Sequence, residues 1–529
     1  MKKLLIMSVA ALLVAPVFAG TVTTVGNTDL EVSGGLRIRW DYYNNIYDFT
    51  DHNDDWSSNA VCPSIFCDDD FSYTPWRANI VLKALVTRNV DVVVNLQDVG
   101  WFGMGWGEDG YIFGPENGMA PIVRQDVTFD DYWETAGSGL GTQYDYFSLF
   151  EAYIHIRNAW DSNWSFKLGR QTSPLGDEFL MGDDDWYDGV SFDGLRADWG
   201  NDQVDLAIFW YKVYTRTIND YSNEDDGDLR GVYTTWRVTD RQGVEGYLLH
   251  GNFNANATTQ VASDFDTMTL GVRWFSREAF AGFDWSAELA WQDNSWDTGW
   301  GGPMSKQDGN GIAFNGVIGY TFDSDYEPRL AFGLTYITGD DATDYSADED
   351  RDGFWRLFGD SHGRWGNADL LYSSILSNGW NYDITSPFYT MLGPTNGASS
   401  GALIPQLNFK MKANDSINFG ANLVFLMALE DEFDMGSYDW WNDSTQDSID
   451  VDSDLATELD AWLTYQYSEH LSSAFNLSYI IEGDRVAAAT DAYYGGWEYW
   501  TDEDAIDDSE TEWGEDNAYR AYASLVATW

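Results

Sequence analysis

Between Trp164 and Trp199 apolar and polar positions alternate. Trp164, Phe166 and Leu168 are separated by Ser165 and Lys167, and beyond an acidic loop Leu195, Ala197 and Trp199 are separated by Arg196 and Asp198. A period of two predicts β-strands with one apolar and one polar face. In a soluble sheet the apolar face is covered by a core. Here the same pattern recurs along the whole chain, and no segment is left over to supply that cover.

Residues 28–43 set Leu30, Val32, Leu36, Ile38, Trp40 and Tyr42 against Glu31, Ser33, Arg37, Arg39 and Asp41. Residues 76–86 repeat this with Ile80 and Leu82 against Arg77, Asn79 and Lys83, and Thr87-Arg88-Asn89 turns into Val90, Val92, Val94 and Leu96. Comparable runs lie at 150–157, 204–210, 268–274, 283–291, 312–322, 330–336, 403–411, 417–427, 455–463, 471–479 and 518–529. Seventeen strands are clear. Short turns alternate with long loops, and both termini fall on one side, only if the count is even. A weaker strand at 230–238, with Val232, Thr234 and Trp236 outward, followed by a return through 244–251, makes eighteen. The fold class expected is all-β, a transmembrane antiparallel barrel wide enough for an aqueous lumen. Its long loops would be 44–75, 100–146, 172–189, 215–229, 254–265, 294–310, 339–401, 430–453 and 483–517, all on one side.

The N-terminus fits export. Lys2 and Lys3 precede an apolar run, and Val17-Phe18-Ala19 ends in the small residue expected at a cleavage site, so residues 1–19 read as a signal peptide and 20–529 as the barrel. No later stretch approaches the ~20 apolar residues of a membrane-spanning helix. Aromatic residues make up 16% of the chain and collect at strand ends, as interfacial girdles do. A soluble carbohydrate-binding β-protein would also carry aromatic platforms, and is the competing reading of that content.

Net charge is −59, from 87 acids against 28 bases, which excludes nucleic acid as a partner. Most acids lie in the long loops. The bases do not: Arg37, Arg39, Arg77, Lys83, Arg157, Lys167, Arg196, Arg237, Arg273, Arg329, Lys410, Lys412 and Arg520 all take the parity opposite to the apolar set. An Arg facing hydrocarbon costs ~2–4 kcal/mol at mid-membrane, so these side chains are expected to line the lumen. Glu31, Asp91, Glu151, Asp198, Asp284, Glu288, Glu458 and Asp460 share that parity and would partly neutralise it.

Residues 167–199, with Gly169-Arg170-Gln171, Gly176-Asp177, Gly182-Asp183, Asp185-Trp186 and Phe192-Asp193-Gly194, resemble a segment of the alginate export porin family. Three more stretches fit it in order: Leu36-Arg37-Ile38-Arg39; Tyr336-Ile337-Thr338-Gly339-Asp340 followed by 354–369 with Leu357, His362 and Gly366; and Glu458-Leu459-Asp460. The resemblance implies an eighteen-stranded outer-membrane channel with a charged, constricted lumen, in a family whose best-known member exports an anionic polysaccharide. The acidic excess departs from that member. The resemblance also assigns Arg170 and Asp193 to the lumen; Arg170 shares the parity of Leu168, so either a bulge at Gly169 re-aims it inward or it lies above the membrane among the loops, and the family pattern favours the bulge. The closing strand, ending on Trp529, resembles the terminal aromatic strand that directs insertion by the barrel-assembly machinery.

Three constellations remain. Cys62 and Cys67, alone in the first long loop of an exported chain, are expected to form a disulfide, with a two-ligand metal site as the alternative. Acidic runs at 68–70, 183–185, 225–226, 348–350 and 502–504 could bind Ca²⁺, yet none has the spacing of a dedicated calcium loop, and solvated loops explain them. His52, His362 and His470 fall in loops or turns and His250 is isolated; His155, four residues after Glu151, reads as a lumen hydrogen-bonding group and not a catalytic one. The expectation is a monomeric, cofactor-free, non-enzymatic channel in outer-membrane lipid for charged or polar solutes or a polysaccharide. The alternative is a surface barrel, structural or binding, with a plugged lumen.

Overall fold

The computed structural model of the chain describes residues 21–25, 28–44, 71–102, 148–183, 189–214, 227–253, 263–298, 305–339, 353–360, 363–368, 401–429, 432–434, 448–450, 453–484 and 517–529. Among them eighteen strands close into one antiparallel barrel. They are β1 (Thr28–Asn44), β2 (Pro75–Thr87), β3 (Val90–Trp101), β4 (Ser148–Ile156), β5 (Trp164–Gln171) and β6 (Phe192–Gly200). Next come β7 (Val204–Tyr214), β8 (Gly227–Arg237), β9 (Gln242–Phe253), β10 (Ser263–Phe280), β11 (Phe283–Thr298) and β12 (Ser305–Thr321). The circuit ends with β13 (Arg329–Ile337), β14 (Ala402–Asn414), β15 (Ile417–Met427), β16 (Asp454–Ser468), β17 (Leu471–Glu482) and β18 (Ala518–Thr528).

Each strand pairs with its sequence neighbour, and β1 joins the two ends of the sheet. Ile38 stands opposite Trp76 of β2 on one side and Leu525 of β18 on the other. Below that seam Trp529 and Gly34 exchange two backbone hydrogen bonds of 3.0 Å. Closure leaves no unpaired edge, which a sheet in lipid requires.

Parity decides the two faces. Leu168, Ile208, Leu270, Leu289 and Ile318 point outward and remain 43–58% exposed. Tyr211, Leu249, Thr267, Gln292 and Glu458, of the opposite parity, are at most 1% exposed. An apolar exterior around a buried polar interior suits lipid as the outer solvent. Among the described residues no helix is long and apolar enough to cross a membrane.

At one end the strands are joined by short turns. In three of them a side chain caps the turn: Asn201 Oδ1 accepts from Gln203 and Val204, Thr239 Oγ1 from Arg241 and Gln242, and Asn414 Oδ1 from Ser416 and Ile417. The strand expected at 230–238 is β8, and it pairs on both sides. Several strands run further than their alternation predicts. Residues 263–265 and 305–310, expected in loops, extend the ladders of β10 and β12, and the turn expected near Arg277 lies at Ala281–Gly282. Polar sequence there hid strands whose backbone pairing continues above the membrane. The expected signal peptide lies outside the described residues.

Candidate functional site

Within the barrel two segments from the long-loop end fold inward. One is residues 172–183, between β5 and β6; the other comprises 353–360 and 363–368, between β13 and β14. They hold each other by backbone: Met181 and Phe358 form a parallel bridge, Phe358 N donates to Leu180 O (3.0 Å), Gly182 N to Phe358 O (2.7 Å) and Asp360 N to Glu178 O (2.9 Å).

Their apolar side chains complete a core against one side of the wall. Phe179, Met181, Phe354 and Phe358 are buried with Phe192, Tyr211, Phe253 and Phe265, inward residues of β6, β7, β9 and β10. Phe358 meets Phe192 edge-on at 5.0 Å, and Phe192 stacks on Tyr211 at 5.4 Å. Burying one such side chain stabilises by ~1.5–3 kcal/mol, enough to hold a short irregular segment away from water. Two guanidinium groups lock the pair. Arg356 Nε donates to Phe179 O and its Nη2 to Asp360 O, both 2.7 Å, while Arg364 reaches Asp360 O (2.9 Å) and Asp177 O (2.5 Å). Both stack over Phe179 and Trp365.

Polar wall residues anchor the segments at their margins. Gln292 of β11 brackets Trp355, donating to its carbonyl (3.0 Å) and accepting from its N–H (2.7 Å). Trp365 Nε1 donates to Thr335 (2.8 Å), Ala368 N to Glu458 (2.7 Å) and Asn367 N to Asp460 (3.2 Å), and Arg520 Nη1 donates to Asn367 O (3.1 Å). The first segment begins on Glu151, which accepts from Thr172, and passes Arg273, whose Nε lies 4.0 Å from Asp177. Glu178, held between the segments, has its carboxyl pushed above the usual carboxylate range, first by burial and then by Asp183 and Asp360.

The expected lumen residues therefore divide. Arg37, Arg77, Lys83, Arg157, Lys167, Arg196, Arg329 and Lys410 have inward parity and stay at least part-exposed along the wall. In register, Arg37 opposes Arg77, Lys167 opposes Arg196 and Arg329 opposes Lys410. Acids lie among them: Glu31 with Lys83 (2.9 Å), Asp91 with Arg157 (2.9 Å), Asp198 with Arg196 (2.8 Å) and Asp284 with Arg329 (2.8 and 2.5 Å). Arg39, Glu458 and Asp460 also point inward but are buried, and Arg273 is largely covered: Arg39 sits on Asp41 (2.6 Å), Arg273 on Glu245, and the two acids beneath residues 366–368. They anchor structure where selectivity was expected.

Arg170 and Asp193 do not reach the lumen. The β5 ladders pass through Gly169 without a register shift, so no residue is inserted and parity is kept. Gly169 has φ +126 and a Cβ there would lie 2.2 Å from Ala152 O, so the glycine serves close backbone approach and not a bulge. Arg170 instead forms a two-bonded pair with Asp193 (2.8 and 2.9 Å) on the outer face.

Sequence reasoning missed the inward segments, because alternation stops at Gln171 and at Thr338. The signals were the apolar residues at 354–358, broken by Arg356, and the family motifs at 176–183 and 354–369, none of which shows by itself that these segments turn inward. Cys62 and Cys67, His52, His362 and the acidic runs, except Asp183, lie outside the described residues.

A closed eighteen-strand barrel with an apolar exterior, a charged interior and a lumen narrowed by inward loops defines a porin-type channel of the bacterial outer membrane. The alginate export family model matches residues 84–374, and the chain belongs to that family. No curated protein matches the sequence. Among solved structures the chain is similar to Pseudomonas aeruginosa OccK8 (OprE), at 11% identity over 94% of this chain and 98% of that one, TM-score 0.47. It is similar also to OccK11 (OpdR) of the same organism, at 10% over 94% and 96%, TM-score 0.45. A third is OmpT of Vibrio cholerae, at 8% over 96% and 99%, TM-score 0.38.

Proposed function

We propose that this channel passes anionic, carboxylate-bearing solutes or polysaccharide chains, and that the opposed cation pairs are the stations along which they move. The observation that carries this is the register of Arg37 with Arg77, Lys167 with Arg196 and Arg329 with Lys410. Like charges directly opposite across a ladder destabilise a sheet. Asp198 takes one cation of the second pair, Arg196, and Asp284 one of the third, Arg329, and an anion bridging the opposed cations offsets the repulsion that remains. Lumen charge of this kind selects what passes.

The acids concentrated in the long loops repel anions at the mouth in either direction, so the solute gradient sets the direction of passage. Transport is passive, with no cofactor and no covalent step. The protein acts as a monomer, assembled through its terminal strand by the barrel-assembly machinery. The test is reversal potential in planar bilayers under a salt gradient, with a linear uronate oligosaccharide as blocker. Anion preference and block support the reading; cation preference without block ends it.

A further inference from the structure

One row of the inner wall carries bases on three successive strands. Across the ladders of β3 to β6 it runs Asp91, His155, Lys167, Arg196, and all four take the inward parity. Asp91 is buried and held by Arg157 (2.9 Å), and Arg196 is held by Asp198 of its own strand (2.8 Å). Glu151, two inward positions beyond His155 on β4, accepts from Thr172 and from Asn95 (3.2 Å). Lys167 is left without a carboxylate. Among the described residues its ammonium forms no ion pair, and it lies over the ring of Tyr153, 5.2 Å from the centroid. The imidazole of His155 makes no hydrogen bond among the described residues, although its inward place predicts one. Lys410 has no acid either, but it is exposed at the short-turn end, where water solvates it.

A part-buried ammonium directly opposite a guanidinium destabilises the ladder until a counter-ion reaches it. No acid of the wall supplies one. We propose that Lys167 seats a carboxylate of the passing solute, and that His155, once protonated, tightens the hold. This seat depends on the opposed cations being stations for anions, and it singles out one station as the tight one. Around the imidazole stand Asp91 on β3, Arg157 just past the end of its own strand, Lys167 on β5, and Arg196 and Asp198 on β6. Both of those acids are already engaged, so a proton on His155 adds an uncancelled positive charge beside Lys167. A carboxylate on Lys167 favours that proton, and the proton favours the carboxylate by the same factor. An imidazole ordinarily titrates at about pH 6.5, where a uronate carboxyl stays ionised.

The experiment is the half-blocking concentration of a linear uronate oligosaccharide on the full chain in planar bilayers, at about pH 8 and at about pH 5.5. Block should tighten on acidification by about fourfold, the attraction of one added unit charge at about 5 Å in water. His155→Gln should block as the unaltered chain does at the higher pH and lose the tightening. Lys167→Gln should weaken block by about tenfold at both values. Lys167→Arg keeps the charge and should retain block, so a lost charge is told apart from a misfolded barrel. Block indifferent to Lys167→Gln, in a channel that still prefers anions, overturns the seat and leaves the anion channel standing; cation preference without block ends both. Tightening that persists in His155→Gln, or that Glu178→Gln abolishes, places the pH effect elsewhere and overturns the role of the histidine.

Discussion

Arg520 Nη2 donates to Asp41 Oδ1 at 2.9 Å across the seam between the last and first strands. The two residues are 479 positions apart, and both are fully buried. Arg39 joins the same carboxylate from β1, and Arg520 stacks over Tyr43. Asp41→Ala takes this carboxylate from two buried arginines and should destabilise the barrel by ~3–5 kcal/mol, whereas Arg520→Met leaves Asp41 on Arg39 and should cost less. Replacing both should cost less than the sum of the single losses. The urea midpoint for loss of heat-modifiable migration measures each.

Arg37 and Arg77 oppose each other in register on the wall, whereas Arg39 is 4% exposed and paired with Asp41. Arg37→Gln with Arg77→Gln should move the reversal potential toward cation preference and weaken block by an anionic oligosaccharide. Arg39→Gln should change stability and leave selectivity in place. A reversal potential that follows Arg39 and ignores the other two would assign the selective charge to the seam.

The inward segments sit against the wall with no space to spare. A Cβ at Gly311 would stand 2.3 Å from Gly353 O and 2.5 Å from Phe354 N, so Gly311→Ala should push residues 353–358 out of place without altering any charge. Arg356→Gln should loosen the same segment by removing its bonds to Phe179 O and Asp360 O, at ~1.5–3 kcal/mol for each charged hydrogen bond lost. Both variants should show larger single-channel conductance and more open-state noise. Unchanged conductance in both would mean that these segments do not narrow the path.

Glu178 gives the docked loops a pH dependence. A carboxyl whose folded pKa lies above its free value stabilises the fold while protonated, and that contribution is lost as pH rises through the raised value. Acidification from neutral to about pH 4 should therefore tighten the docked state and quieten channel noise. Glu178→Gln should hold the quiet state at neutral pH and remove the dependence. Noise that grows on acidification would reverse the assignment.

Much of the barrel was legible in the sequence because lipid imposes one rule on every spanning strand. An outward residue at the depth of the hydrocarbon is apolar, so period two appears in Trp164, Phe166 and Leu168 without knowledge of any neighbour. The inward lysines and arginines could be read from the same parity. Arg170 keeps its register but breaks the rule, standing outward beside Asp193 near the long-loop end, where the family motif had implied the lumen.

The lumen interior was not legible, because no periodic solvent rule acts there. Whether Glu458 meets an ion or the N–H of Ala368, and whether Arg273 faces water or Asp177, depends on segments that lie 90 or more residues away along the chain. Sequence by itself determined the parity of the wall, the strand count, the end at which the long loops lie and the sign of the charges turned inward. Only the tertiary structure decided which of those charges face the path and which hold the loops. Burial and pairing are set by distant segments brought together, and those contacts leave no local pattern to read.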